Sequence, residues 1–222
     1  TGRAGEEAAS YENLFLRKEI AGFRTNIRRE QSCSIKSLTR DYLYKQLLSS
    51  GEYTFDHMLV IKDPYGEAPL TALALFILEE PACVRVTTKG NLKETDFVTE
   101  LPKKKEHRVP ILGMYAEKAN DIVIEILDDE GNCVKSHTFT IRTKRLPKSL
   151  RNVITVKKCT DKPAYSNIMI NGGVKIHTCV FDIEGKIRYY LSRKPRGYGI
   201  FPLSDGHFFY MEKYISVPSY SN

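Results

Sequence analysis

Histidines are the residues of this chain best suited to act as nucleophiles or bases near neutral pH. The chain contains His57, His107, His137, His177 and His207. None of them forms an HxxxH or HExxH pattern, so their spacing predicts no metal site. A basic run and a proline flank His107, which we interpret as a structural turn histidine that hydrogen-bonds the backbone. We expect His177 on a strand face and His207 exposed at the start of a strand, and we assign no catalytic, metal-ligating or cofactor-binding residue.

Cysteine is the second candidate nucleophile. The five cysteines are Cys33, Cys83, Cys133, Cys159 and Cys179. None forms a CxxC pair, which argues against a zinc site or a thioredoxin-like redox motif. We expect small buried side chains; the odd number leaves at least one free thiol, and the spacing does not identify a disulfide. His177 and Cys179 share a strand face, but an active thiolate also needs a nearby cation.

Two kinds of segment could bind anions. The glycine clusters Asn171-Gly172-Gly173 and Gly197-Tyr198-Gly199 lack the dinucleotide-binding and Walker patterns, and we predict turns there. Cations alternate with aromatics in a segment that carries Arg188, Arg193, Lys194 and Arg196 with Tyr189, Tyr190 and Tyr198. Such a surface could bind single-stranded nucleic acid or a sulfated aromatic molecule. The favoured interpretation is a solvated loop beside a β core.

The composition is ordinary for a soluble globular protein. Of 222 residues, 41% are hydrophobic and 27% are charged, which suits one or two domains. There is no apolar run long enough to span a membrane. The first ten residues do not resemble a signal peptide, although one could have been removed. A net charge of +7 mildly favours anionic partners, and the favoured interpretation is a soluble protein with a basic face.

Residues 1–50 are predicted to form a helical N-terminal segment. Tyr11 to Glu30 carries an approximate apolar stripe at helical spacing, and so does Leu38 to Leu48. Gly51 supplies a stop for the second helix. The helices could pack on a sheet or bridge to a partner, and packing on a sheet is the favoured interpretation.

From Tyr53 onward the pattern changes to the two-residue period of strands. The predicted strands are Phe55 to Ile61, Leu70 to Leu78, Cys83 to Thr88, Asp96 to Leu101, Arg108 to Leu112, Asp121 to Leu127 and Cys133 to Arg142. Turn residues at Asp63–Gly66 and His107–Pro110 predict rigid corners, and Glu79-Glu80-Pro81 is expected to end a strand. Leu70 to Leu78 is apolar on both faces, which predicts a central, doubly covered strand.

The last two of these strands form a predicted hairpin around Asp128–Asn132. Strands at this spacing without intervening helices predict an antiparallel β-sandwich over residues 51–145. The basic, patternless segment 143–150 predicts a domain boundary.

Residues 150–222 repeat short strands joined by Asp- and Gly-containing hairpins, as in one blade of a β-propeller. The predicted strands are Val153 to Val156, Asn167 to Ile170, Val174 to Phe181, Lys186 to Leu191, Ile200 to Leu203 and His207 to Met211. A single blade cannot bury both of its faces. Either the propeller is cut off here, or this part packs as an extra sheet.

Several ordered segments resemble the N-terminal domain of bacterial aryl-sulfate sulfotransferases, also called arylsulfotransferases. They are Asp63-Pro64-Tyr65-Gly66, Pro69 to Leu73, Val84 to Gly90, Glu106 to Tyr115 and the hairpin Asp128 to Val134. Phe181 to Leu191 resembles the first propeller blade of the same family. Tyr189-Tyr190 departs from many relatives, in which a tryptophan is expected. The resemblance spans roughly residues 50 to 210 and favours the truncated propeller for residues 150–222.

The resemblance implies a mainly β protein: an antiparallel, Ig-like β-sandwich followed by a six-bladed propeller. Enzymes of this family transfer a sulfuryl group from a phenolic sulfate ester to another phenol through a transiently sulfated histidine. A neutral imidazole is a competent nucleophile, and arginine can hold the sulfuryl oxygens. Because the family's catalytic residues lie on later blades, no catalytic residue transfers to this chain.

The resemblance therefore implies a structural, non-catalytic N-terminal fragment of an aryl-sulfate sulfotransferase that needs no cofactor. The expected substrates of the whole enzyme are phenolic sulfate esters and phenols. We also predict a homodimer, a periplasmic or extracellular location, no membrane span in this chain and no nucleic-acid partner. The alternatives are a stand-alone β-sandwich module for adhesion or carbohydrate binding and, third, nucleic-acid binding through the basic loops.

Overall fold

The structure is a computed structural model that describes residues 33–157, 167–170, 177–192, 200–202 and 208–210. Side chains are described for residues 39–157 and 177–192. Several sequence predictions lie outside the described residues: the helix at Tyr11 to Glu30, the turns at 171–173, 197–199 and 204–206, and the position of His207.

The described residues form one α-helix, two 3-10 turns and ten strands. The elements are α1 (Cys33–Ser49), β1 (Leu59–Lys62), β2 (Ala72–Thr88), β3 (Phe97–Ile111), β4 (Ala119–Leu127), β5 (Cys133–Arg142), β6 (Asn167–Ile170), β7 (Cys179–Asp182), β8 (Ile187–Tyr190), β9 (Ile200–Pro202) and β10 (Phe208–Tyr210), with 3-10 turns at Lys93–Thr95 and Lys148–Leu150. All pairs of these strands are antiparallel, so the predicted mainly β class is confirmed. Among the described residues, no helix combines the length and hydropathy that crossing a membrane requires.

Strand β2 organises the largest sheet. It pairs with β3 along most of its length, and on its other edge it pairs with β1 at its start and β4 at its end. Strand β5 extends the sheet beyond β4. Side chains from both ends of β2, such as Ala74 and Val86, lie in one buried cluster with Ile111 of β3 and Ile124 of β4. The two halves of the long β2–β3 hairpin therefore face a common core.

The first half of β2 is buried on both faces, as its continuous apolar sequence predicted. Ala74 and Phe76 point into the common core. Leu73 and Leu75 point the other way, into a second cluster formed with helix α1. The second cluster also contains Tyr44, Leu48, Tyr53, Leu59 and Ile61. Helix α1 thus packs on the outer face of the sheet, which confirms the expected packing.

Two predicted interruptions of the strands are wrong. Glu79-Glu80-Pro81 does not end a strand but lies within β2, where the register between β2 and β3 shifts from Ile77/Glu106 to Ala82/Lys104. This bulge accommodates Pro81, which cannot donate a hydrogen bond to a regular ladder. His107–Pro110 is not a corner but part of β3. Among the described strands β3 pairs only with β2, and an edge strand tolerates proline.

Other predictions are confirmed. Asp63–Gly66 is a turn in which the amide of Gly66 donates to the carbonyl of Asp63 at 2.9 Å. The hairpin of β4 and β5 closes around Asp128, whose Oδ1 accepts hydrogen bonds from the amides of Glu130 at 3.0 Å and Asn132 at 2.7 Å. The short carboxylate side chain thus replaces missing backbone partners within the turn.

The strand predicted at Val153 to Val156 is wrong, because no described strand pairs with it. These residues instead pack against the turn that follows β7. A Cβ added to Gly185 in this turn would lie 3.0 Å from Val156 and 3.2 Å from Ile154. Strands β6, β7 and β8 form a three-stranded sheet, and β9 pairs with β10 in a separate two-stranded sheet.

One buried hydrogen bond contributes to the docking of α1, and this can be tested. The hydroxyl of Tyr44 donates to the carbonyl of Pro64 in the Asp63–Gly66 turn at 2.5 Å, and burial raises the pKa of Tyr44 to about 12. We expect Tyr44→Phe to lower the free energy of unfolding by about 1 kcal/mol, measured by urea denaturation. Tyr42 on the same helix is 63% exposed, so Tyr42→Phe is a matched control that should leave stability unchanged. Equal effects of both substitutions would contradict the docking.

Candidate functional site: a buried arginine between two sheets

A buried guanidinium group connects the small sheet to the large one. Arg188 on β8 is only 1% exposed. Its Nε donates to the carbonyl of Gly113 at 2.6 Å, and its Nη1 donates to the carbonyl of Thr95 at 2.8 Å. Nη1 also lies 3.0 Å from the hydroxyl of Tyr115 and 3.2 Å from Oδ2 of Asp182. One side chain thus joins β8 to the segments at both ends of β3.

Asp182, at the end of β7, is the charged partner of this arginine and is completely buried. Its Oδ1 accepts hydrogen bonds from the amides of Glu184 and Lys186, both at 3.0 Å, and so closes the turn between β7 and β8. Its Oδ2 accepts a hydrogen bond from the Tyr115 hydroxyl at 3.0 Å. A buried ion pair repays its desolvation only when further hydrogen bonds satisfy both partners. Asp182 meets this condition through four contacts.

The ring of Tyr115 covers one face of the Arg188 guanidinium. The centre of the Arg188 guanidinium lies 3.9 Å from the centroid of the Tyr115 ring, where the negative face of the ring attracts the cation. Burial raises the pKa of Tyr115, so the phenol stays protonated and can donate its hydrogen bond to Asp182. The amide of Asn91 donates to the same hydroxyl at 3.1 Å, which fixes the loop that precedes β3.

Two glycines allow the segments around Arg188 to approach each other. Gly113 has a φ of +74°, and a Cβ there would lie 2.6 Å from Cβ of Phe97. A Cβ on Gly90 would lie 2.2 Å from Oγ1 of Thr95. A side chain on Gly113 would push apart the two segments whose carbonyls bind the guanidinium, and a side chain on Gly90 would displace Thr95, because Cβ contacts this short do not occur in proteins.

The burial of Arg188 corrects the predicted basic and aromatic surface. Arg188 was predicted to lie on a solvated loop with Tyr189 and Tyr190, but it is in the interior, and Tyr190 is buried in the common core. The prediction failed because the buried carboxylate and carbonyls that bind Arg188 come from other segments. The remaining members at positions 193–198 lie outside the described residues.

His107 is a structural residue, as predicted, but it lies in a strand and not in a turn. It is 2% exposed, and its ring stacks on Phe76 with the centroids 5.3 Å apart. Its Nε2 donates to the carbonyl of Lys104 at 2.9 Å, on the β3 side of the bulge. Burial lowers the pKa of His107, which favours the neutral ring.

The arrangement of His177 and Cys179 does not activate a nucleophile. Both side chains are buried, and Nδ1 of His177 lies 2.8 Å from the carbonyl of Leu191. Burial raises the pKa of the Cys179 thiol, whereas a reactive thiolate needs a lowered pKa. His57 is exposed, and His137 is half-buried between Phe55 and Phe139. Among the described residues, no two histidines contact each other.

The described cysteines are free thiols. Cys179 is buried, Cys83 is half-buried and Cys133 is exposed, so the expectation of uniformly buried cysteines is wrong for Cys133. Cys83 and Cys133 pair with the same residue, Leu127, from opposite sides. Their Cα atoms are therefore separated by two strand spacings, about 9.6 Å, which exceeds the reach of a disulfide of about 7 Å. Within the described part of the chain, no group of three potential ligands could hold a metal ion.

Removing the buried guanidinium should destabilise the protein far more than removing an exposed one. Arg188→Ala leaves the carboxylate of Asp182 buried without its charged partner, and we expect a loss of about 3–5 kcal/mol in the free energy of unfolding. Arg85, which pairs with Glu100 at the surface, provides the control: Arg85→Ala should cost about 1 kcal/mol or less. Similar losses for both variants, measured by urea denaturation or as melting temperatures, would contradict the role of Arg188.

The buried histidine makes stability depend on pH. In the unfolded chain His107 should titrate near 6.5, and in the folded protein its pKa is lower. As the pH falls below 6.5, His107 binds a proton in the unfolded state but not in the folded state. The free energy of unfolding therefore decreases until the folded ring is also protonated. We expect His107→Gln, which keeps a hydrogen-bond donor, to reduce the slope of stability against pH between 7 and 5. An unchanged slope in urea titrations would contradict this assignment.

Comparison with known families matches residues 59–144 to the family described as the arylsulfotransferase Ig-like domain. The matched range begins at the first residue of β1 and ends just after β5, so it contains the whole five-stranded sheet. Comparison with curated proteins found no match. The match agrees with the antiparallel architecture and with the resemblance of the turn and strand motifs. Residues 59–144 of this chain are therefore similar to the arylsulfotransferase Ig-like domain.

Proposed function

We propose that this chain is the N-terminal part of an arylsulfotransferase and that its role there is structural. The family match over residues 59–144 carries this proposal. The Ig-like domain would support a β-propeller that begins with the strands after residue 150 and that holds the site of sulfuryl transfer. The whole enzyme would move a sulfuryl group from a phenolic sulfate ester to another phenol.

The buried contacts of β7 and β8 support the role as a rigid base. Cys179, Ile187 and Tyr190 lie in the same buried cluster as the core of the Ig-like domain. Arg188 adds directional hydrogen bonds to two carbonyls of that domain. Apolar burial supplies most of the attraction, but it is not directional. The hydrogen bonds of the guanidinium would therefore set the orientation in which the next strands continue.

The environments of the described histidines support a non-catalytic role. A histidine that accepts a sulfuryl group must be neutral, accessible and close to cations that hold the sulfuryl oxygens. His107 and His177 are neither accessible nor free, because their rings are buried against backbone carbonyls. His137 lies between two phenylalanine rings, and no described arginine contacts it or His57. The reaction would therefore take place on the propeller, at residues beyond those described.

In the proposed reaction a histidine nitrogen attacks the sulfur of the donor ester and the donor phenol leaves. A second phenol then takes the sulfuryl group from the imidazole. A periplasmic or other cell-envelope location and a homodimeric assembly belong to the same proposal. None of these steps requires a cofactor.

An activity assay can test whether this chain supports the enzyme without catalysing the reaction. The chain of 222 residues should release no 4-nitrophenol from 4-nitrophenyl sulfate with phenol as acceptor, whereas the protein encoded by the complete reading frame should release it. In that complete protein, His57→Gln and His137→Gln should keep the turnover within about twofold, because neither residue would contact the substrate. Turnover by the 222-residue chain, or its loss in either histidine variant, would refute the structural role. No turnover by the complete protein would refute the arylsulfotransferase assignment.

A further inference from the structure

The large sheet has a gap along one edge of β2. On this edge β1 pairs with residues 72–75, the isolated bridge to Thr54 reaches Ile77, and β4 begins to pair only at Cys83. On the opposite edge, the bulge leaves residues 78–81 without a partner on β3. Within the described part of the chain, this stretch of backbone therefore has no neighbouring strand. An unpaired strand edge can accept an additional strand, and in this stretch Pro81 offers only its carbonyl, because it has no N–H.

A cleft of about 570 Å³ occupies the gap. One end is formed by residues 54–56, the other by residues 126–129, and residues 77–82 of β2 run between them. The lining includes the apolar side chains of Phe55, Leu78 and Leu127, all of which are largely buried. The cleft thus has an apolar floor beside a free strand edge.

The rim of the cleft is acidic. Five carboxylates line it, with only two ammonium groups. The five are Asp56, Glu79, Glu80, Asp128 and Asp129, and the two ammonium groups belong to Lys103 and Lys135. Both lysines are already paired, with Asp129 and Asp56 respectively. Glu79 and Glu80 are exposed, and neither has an ion-pair partner among the described residues. The local negative charge contrasts with the net charge of +7 of the chain.

We propose that this cleft binds an extended, lysine- or arginine-bearing segment of a partner protein, which adds a short strand beside residues 78–82. The backbone of that segment would pair with the free edge of β2, as in other cases of strand addition. Its alternate side chains would point to the apolar floor and to the carboxylate rim. Six residue steps separate Ile77 from Cys83, a span of about 20 Å at most, which accommodates a strand of about four residues.

This surface is separate from the contacts that carry the proposed structural role. It lies at the bulge, whereas the Arg188 contacts join β8 to residues 95, 113 and 115. Charge favours a basic segment, because it would pair with Glu79 and Glu80. A second copy of this chain also carries a basic stretch, Lys103 to Lys105 on β3, and the experiments below distinguish it from a partner segment.

A labelled peptide tests the proposal on the full chain. The probe is acetyl-Lys-Val-Lys-Val-Lys-amide with a fluorophore, and binding is followed by fluorescence anisotropy at low salt. We expect saturable binding that weakens about fivefold in the double variant Glu79→Gln/Glu80→Gln, because two exposed charge pairs are lost. The matched control Glu52→Gln/Glu94→Gln removes the same charge from two exposed glutamates that do not line the cleft, and it should bind within about twofold of the unchanged chain.

A second probe tests the mode of binding. The same peptide with N-methyl groups on its two valines keeps its charge but loses backbone donors, and we expect its binding to be lost. The proposal is overturned if both double variants bind equally or if no saturable binding occurs. It is also overturned if the methylated peptide binds as well as the unmodified one. Self-association that excludes the peptide and disappears in Glu79→Gln/Glu80→Gln would identify a second copy as the occupant and would likewise overturn it.

Discussion

The buried ion pair of Arg188 and Asp182 is the interaction that holds the two sheets in one arrangement. A guanidinium buried this deeply requires a carboxylate and several carbonyls at fixed positions, because an unpaired charge in the interior is costly. Gly113 and Thr95 supply the carbonyls, and Tyr115 covers the planar face. The geometry of the turns before and after β3 is therefore tied to that of the β7–β8 hairpin.

A second constraint comes from the length of β2. This strand of 17 residues bends at its bulge, so its two halves can face one core while the first half also receives helix α1. The bulge has a cost, because it interrupts the ladder between β2 and β3. His107 and its hydrogen bond to Lys104 stabilise the β3 side of this bulge. The acidic cleft lies beside the same residues, which are also unpaired on the edge that β1 and β4 share.

Local patterns predicted some of these features and not others. The β4–β5 hairpin follows from alternation and from the turn residues around Asp128, which act within a few residues of one another. The double burial of β2 follows from its continuous apolar run. The continuity of β2 across Pro81 was missed because pairing with β3 outweighs the local preference of proline. The burial of Arg188 was missed because Thr95, Gly113 and Tyr115, which bind it, lie more than 70 residues away in the sequence.

These contacts should make β7 and β8 one cooperative unit with the Ig-like domain. Native-state hydrogen exchange tests this directly, because amides that open together exchange with the same free energy. We expect the hydrogen-bonded amides of β7 and β8 to exchange with the same opening free energy as those of Val84 and Val86 at the centre of β2. Exchange of the β7 and β8 amides through a separate opening of much lower free energy would contradict it.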